Sequence, residues 1–129
     1  MNLVNLTPHP IVLFTPEGER ITIPTSGTVA RVATTPGTLR SIEGVPVPVA
    51  DPPTYGQVEV LPRPIEGTMY IVSSMVASAL ETQGIRRDDL LVPGTGPSDG
   101  VVRDAEGRIV GVSRLVRTQQ PMVLVGAGT

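Results

Sequence analysis

Short apolar runs cut by proline and glycine dominate the chain, and a 3.6-residue period surfaces only once. LVNLT (3–7) reads as a strand broken at Pro8 and Pro10 and resumed as IVLF (11–14), with TPEGE turning into a second strand, RITIP. GTVARVAT (27–34) reads as a third strand. LRSIEGVPVPV (39–49) reads as a hairpin turning at Glu43-Gly44, its prolines confining the second arm to a sheet edge or a loop. Four prolines, at 52, 53, 62 and 64, bracket a short strand QVEVL.

The period changes in GTMYIVSSMVASALETQG. Met69 to Val72 read as a buried strand, after which Val72, Met75, Val76, Ala79 and Leu80 recur at helical spacing. Ser73 or Ser74 serves as N-cap and Gly84 as the stop, so one helix is expected over about 73–83. LVPGTGPSDG (91–100) reads as a loop, VVRDAEGRIVGVSRLV as a hairpin turning at Asp104–Gly107, and PMVLV (121–125) as a last strand before a flexible GAGT. The predicted fold is α+β and β-rich: a small, mostly antiparallel sheet or partly open barrel with hairpins and one main helix. No internal repeat at a fixed period points to a solenoid or propeller.

Length and composition narrow this further. A chain of 129 residues suits one domain, 1–129, because two domains of this total size would each bury too little apolar surface. Fourteen glycines and fourteen prolines, against one Phe, two Tyr and no Trp, disfavour a helical bundle and leave the core to Val, Ile and Leu. The 40% hydrophobic content and β-branched runs argue against disorder. With no cysteine there is no disulfide framework, thiolate nucleophile or cysteine zinc site, so neither metal nor cofactor is expected. MNLVNLTPHP has no basic n-region or apolar h-region, and no run reaches the roughly 20 apolar residues of a membrane span. A soluble cytoplasmic protein without membrane partners is the expectation.

Charge is uneven along the chain. Residues 1–50 balance, 51–102 carry three Arg against seven acids, and 103–129 carry four Arg against two acids. A short arginine-bearing segment is too little for nucleic acid, yet enough for a small anion. All ten basic residues are arginine, a bias that genomic base composition accounts for and that bidentate anion recognition would also favour.

Two segments could carry chemistry. Strand alternation puts Asn5, Thr7 and His9 on one side of the first strand if extended geometry lasts to Pro8. Asn5 and Thr7 are best read as partners of neighbouring backbone groups. His9 is evenly balanced between shaping a turn and acting as acid, base or donor to an anion. In PGTGPSDG, Gly94 and Gly96 would let the backbone approach a ligand, successive amides could form an anion nest, and Thr95 and Ser98 add hydroxyls. The loop lacks the Lys-Ser/Thr end of a P-loop and the G-x-G-x-x-G spacing of a dinucleotide fold. In RIVGVSRLVR, Arg114 shares a face with Val110 and Val112, and a guanidinium there needs a partner: Asp99, Asp104, a backbone carbonyl or a ligand anion. Arg103 and Arg117 are the further candidates, and RRDD (86–89) reads as a solvated charge cluster. One histidine and no cysteine offer no His cluster, Cys-His pair or H-E-x-x-H, and no G-x-S-x-G elbow supports a serine nucleophile, so no catalytic residue is assigned.

Taken together, NLTPHPI, YIVSSMVASAL, LVPGTGPSDG and VRDAEGRIVGVSRLVR resemble a group of small proteins of bacteriophages, prophages and high-GC bacteria. These begin with Asn-Leu-Thr-Pro-His and carry a Pro-Gly-Thr-Gly-Pro loop ahead of a terminal hairpin. The resemblance covers most of the chain outside residues 50–55 and brings no catalytic residues with it. By analogy with phage proteins that sequester nucleotide signals of host immunity, it implies a non-enzymatic sponge for a small anionic, nucleotide-derived ligand. His9, Gly94, Thr95, Gly96, Ser98, Arg103, Arg114 and Arg117 are the expected contacts, in a homo-oligomer whose protomers share the pocket. The alternatives are a structural or protein-interaction component of phage origin, in which Arg114 pairs with Asp99 or Asp104 and no deep pocket exists, and a small hydrolase using His9.

Overall fold

The computed structural model describes residues 1–119, so the strand expected at 121–125 and the tail after it lie outside the described residues. A mixed four-stranded sheet forms the centre. Its strands are β1 (Asn2–Asn5), β8 (Thr68–Ile71), β9 (Leu90–Pro93) and β12 (Leu115–Arg117), in that spatial order. β1 and β9 both run parallel to β8, whereas β12 is antiparallel to β9. The helix α1 (Ser74–Thr82) connects β8 to β9, as a parallel pair requires a crossover.

The remaining strands pair antiparallel: β2 (Ile11–Phe14) with β3 (Arg20–Ile23), β4 (Arg31–Thr35) with β7 (Thr54–Glu59), β5 (Leu39–Arg40) with β6 (Val49–Ala50), and β10 (Val102–Arg103) with β11 (Ile109–Gly111). Among the described residues the fold is therefore β-rich with one helix, and none of its small sheets closes into a barrel. Most pairings are antiparallel as the sequence predicts, with the parallel β1–β8–β9 unit as the departure. Hydrogen bonds from Phe14 N–H to the Val112 carbonyl and from Val112 N–H to the Val12 carbonyl, both 2.9 Å, join the β10–β11 hairpin to the β2–β3 hairpin.

β8 shows why the parallel unit sits in the middle. Tyr70 and Val72 point to one side, into a core with Leu6, Ala30, Val76, Leu80 and Leu90, while Ile71 points to the other, among Ile11, Ile23 and Val112. A strand covered on both faces needs a continuous apolar run, which Met69 to Val72 supply apart from the Tyr70 hydroxyl. That hydroxyl donates to the Arg63 carbonyl at 3.3 Å.

The helix ends follow its sequence signals. Ser73 is the N-cap, its Oγ accepting from Val76 N–H at 3.3 Å. At the other end Gly84 adopts φ +72°, and the amides of Gly84 and Ile85 bond the carbonyls of Glu81 and Leu80, a Schellman motif.

Three local expectations need correction. The stretch beginning at Leu91 is not all loop, because Leu90–Pro93 form β9, paired between β8 and β12. RIVGVSRLVR is not one strand: β11 ends at Gly111 and β12 starts at Leu115, so alternation does not carry through to Arg114. β1 likewise ends at Asn5, before the polar row expected from Asn5 to His9 could form.

Candidate functional site

Parallel pairing aligns Asn5 with Ile71 and Ile71 with Leu91, so the last rung of β1, β8 and β9 is level. Residues two places beyond that rung, Thr7, Ser73 and Pro93, therefore emerge side by side at the carboxyl ends of three adjacent strands. Together with Pro8, His9, Pro10, Ile11, Ser74 and Thr95 they line an open groove of about 380 Å³. The N-terminus of α1 opens into it, with no acidic residue in the first helical turn. Its first amides precede any intrahelical bond and present the positive end of the helix dipole. In open α/β sheets the crevice outside the carboxyl ends of parallel strands is the usual ligand location.

One wall of this groove is set by Asn5, which is only 1% exposed. Its Nδ2 donates to the His9 carbonyl at 2.9 Å, and its Oδ1 accepts from Thr7 N–H at 2.9 Å. Thr7 Oγ1 lies 2.7 Å from Asn5 Oδ1 and 2.9 Å from the His9 carbonyl, so its single proton serves one or the other. Asn5 and Thr7 thus satisfy neighbouring backbone groups, as expected, and in doing so hold the TPHP turn against the sheet. His9 is exposed, between two prolines that fix φ on the far side and extend the residue before each.

The glycine loop is organised around an anion of the protein's own. Gly96 N–H donates to Asp99 Oδ2 at 2.8 Å, and Asp99 N–H returns to the Gly96 carbonyl at 3.0 Å. A Cβ on Gly94 would meet Arg114 Cγ at 2.8 Å and the Arg114 carbonyl at 2.9 Å, and Gly94 N–H bonds that carbonyl at 3.0 Å. A Cβ on Gly96 would meet Asp99 Oδ2 at 2.8 Å. Gly94 is thus required by a close approach to the Arg114 backbone, a side chain at Gly96 would have to displace the Asp99 carboxylate, and the nest amide is directed at Asp99. Ser98 is exposed on the turn, and Ser113 Oγ lies 2.6 Å from the Gly100 carbonyl on the loop's far side.

The three candidate arginines do not converge. Arg114 Nη1 stands 3.9 Å from Asp99 Oδ1, with the Arg114 side chain 56% exposed, and Arg114 borders a separate depression with Leu13, Phe14 and Ile21. Arg103 Nη1 donates to the Gly107 carbonyl at 2.7 Å within its own hairpin, and Arg117 Nη1 donates to the Asp88 carbonyl at 3.1 Å. Of the eight candidate residues, His9 and Thr95 meet in the groove; Gly94, Gly96 and Ser98 belong to the adjoining loop; Arg103, Arg114 and Arg117 lie elsewhere.

RRDD, read as a solvated cluster, holds the most buried ion pair among the described residues. Arg87 Nε and Nη2 each bond one Asp89 carboxylate oxygen at 2.8 Å, and Nη2 also donates to the Pro62 carbonyl at 3.0 Å. The side chains are 13% and 10% exposed. No group of three or more His, Asp or Glu suited to a metal ion is present among the described residues, nor a helix long and apolar enough to cross a membrane.

Comparison with protein-family models, curated proteins and solved structures finds no match. Pro8, Pro10, Ile11 and Pro93 were not expected at a site; strand, helix and strand succeeding one another over 68–93 is the signal that would have found Pro93, whereas Pro8, Pro10 and Ile11 reach the groove through the long-range pairing of β1 with β8.

Proposed function

We propose that the chain is a non-enzymatic binding protein whose groove at the carboxyl ends of β1, β8 and β9 captures a small anionic, nucleotide-derived ligand. The observation that carries this reading is the convergence of Thr7, His9, Ser73, Ser74 and Thr95 around the opening of α1. The hydroxyls of Ser73, Ser74 and Thr95, an imidazole and free amides supply donors for an anionic group, and Pro8, Pro10, Ile11 and Pro93 supply apolar surface for the rest of a ligand. The phage resemblance extends the reading to a sponge for a host immune signal, acting as a homo-oligomer in the cytoplasm.

A second reading, a structural or protein-interaction component of phage origin, is favoured by two observations. Arg114 faces Asp99, as that reading expects, and the groove is open.

Native mass spectrometry of the protein mixed with cyclic and ADP-ribose-derived nucleotides, followed by calorimetric titration of any binder, separates these. Loss of one donor contact costs about 1.4 kcal/mol, so His9→Ala and Thr95→Val should each weaken binding about tenfold while Arg114→Ala leaves it unchanged. The reverse pattern would move the ligand to the glycine loop. Binding of no nucleotide would remove the ligand reading in favour of the protein partner, and release of an altered nucleotide would support a hydrolase using His9.

A further inference from the structure

The TPHP turn holds the backbone of His9 and leaves its ring uncommitted. The His9 carbonyl lies 2.9 Å from both Asn5 Nδ2 and Thr7 Oγ1, whereas the imidazole, exposed at the groove, has no hydrogen-bond partner among the described residues. The Ser74 and Thr95 hydroxyls that line the groove with it are unpartnered in the same sense. Charge is missing from the segments packed around this ring. Residues 1–16, which carry the turn, 21–30, which Ser26 ties to the Asn5 carbonyl, 68–80, which lead into α1, and 90–98, which include β9, contain no Asp, Glu, Lys or Arg. Their titratable groups besides His9 are the Met1 amine, at the opposite end of β1 from the turn, and Tyr70, buried with its hydroxyl on the Arg63 carbonyl. Asp99, the first acidic residue after Thr95, is turned onto Gly96 N–H and toward Arg114.

We infer that protonation of His9 gates the groove, an anion being captured while the imidazole is charged and released as pH rises through its titration. The inference rests on the proposed reading of the groove as an anion site and adds the regulation of that site. A neutral imidazole offers one N–H donor and one bare acceptor nitrogen, which repels an anion; the imidazolium offers two donors and a positive charge. The groove's hydroxyls and backbone amides keep the same charge between pH 5 and pH 8, and no Lys or Arg lines it. His9 is therefore the group that makes capture depend on pH across that range. The sign is fixed by the chemistry: affinity is highest on the acid side and falls as the proton leaves. In a water-exposed site a unit charge about 4 Å from the anion changes affinity about fivefold.

Inorganic sulfate is the probe, because its own charge is constant over this range. Titrated into the full chain at about pH 5.5 and about pH 8 and followed by the amide resonances of Ser74 and Thr95, it should bind about fivefold tighter at the lower pH. By reciprocity, sulfate should raise the pH at which the chain's single imidazole titrates, a resonance with no other histidine to confuse it. His9→Gln keeps the backbone carbonyl that Asn5 and Thr7 hold, and should bind at both pH values with the weaker affinity of the natural chain at high pH. Equal affinity of the natural chain at the two pH values overturns the gate and leaves the groove as an anion site. A pH dependence that survives His9→Gln also overturns it, moving the cause to Asp99 or the Met1 amine. Ser74 and Thr95 amides that ignore sulfate at both pH values remove the anion site itself, and the gate with it.

Discussion

Two arginine–aspartate contacts, 87 with 89 and 114 with 99, show how differently one residue pairing behaves in two parts of the molecule. At 87–89 one guanidinium fork, Nε and Nη2, meets both carboxylate oxygens, and Nη2 also donates to the Pro62 carbonyl, with little exposure of either side chain. At 99–114 a single 3.9 Å approach joins a largely exposed arginine to a carboxylate already accepting from Gly96 N–H. In the first case the arginine organises its surroundings. In the second the glycine-loop amide organises the aspartate, and the arginine is an accessory. The RRDD segment looked like solvent-facing charge and the glycine loop like an anion cradle, yet the tighter anion–cation geometry is in the former.

The largest consequence concerns Arg87. Its removal leaves the Asp89 carboxylate mostly buried with its fork partner gone, a change that costs 3–5 kcal/mol in fully buried pairs. Arg87→Ala should lower unfolding free energy by about 3 kcal/mol, measured by urea denaturation, the residual exposure placing it at the low end. Replacing both residues with Met and Leu should recover most of that loss, because no uncompensated charge remains. A single variant within about 0.5 kcal/mol of the natural chain would mean that the pair is hydrated and equivalent to the 99–114 contact.

Asp99 comes next. It is the acceptor that fills the loop's nest, and hydrogen bonds to charged groups contribute about 1.5–3 kcal/mol. Asp99→Ala should cost about 1.5 kcal/mol by the same denaturation assay, discounted because the side chain is 23% exposed. The vacated nest should also make stability sensitive to added sulfate, with the midpoint rising more than in the natural chain. An Asp99→Ala chain as stable as the natural one, and indifferent to sulfate, would show that the loop holds its shape through Gly94 and the Arg114 backbone alone.

Much of the fold was readable from local signals because those signals are local in cause. The Ser73 cap, the Gly84 stop and the Asp104–Gly107 turn each rest on hydrogen bonds spanning five residues or fewer. The site was less readable because it depends on register between distant segments. Nothing in NLTPHP indicates that Asn5 lies level with Ile71, and nothing in PGTGP indicates that Arg114, twenty residues after Gly94, fills the space above that glycine. His9 and Thr95 could be named as candidates from residue type, but their shared groove follows from parallel pairing. That pairing was hidden by reading Leu91 onward as loop, although LLVP is apolar and sits one helix after YIV. The buried pair was missed for the same reason: burial of Arg87 depends on Pro62, twenty-five residues earlier.

The smallest effect belongs to Arg114, and it is the sharpest test of the contrast. A long, single contact from an exposed guanidinium to a partly exposed carboxylate is worth at most about 1 kcal/mol and is screened by salt. The Gly94 N–H bond is made to the Arg114 carbonyl, which every residue carries, so Arg114→Ala keeps it. What the variant loses is the side-chain contact and the packing of Cγ over Gly94. A change under about 1 kcal/mol, shrinking further in molar salt, is therefore expected for Arg114→Ala, whereas the Arg87→Ala loss should persist at high salt because unpaired burial is not relieved by screening. If instead Arg114→Ala costs as much as Arg87→Ala, the guanidinium is holding Asp99 in the nest, and the two pairs are structural equivalents despite their different exposure.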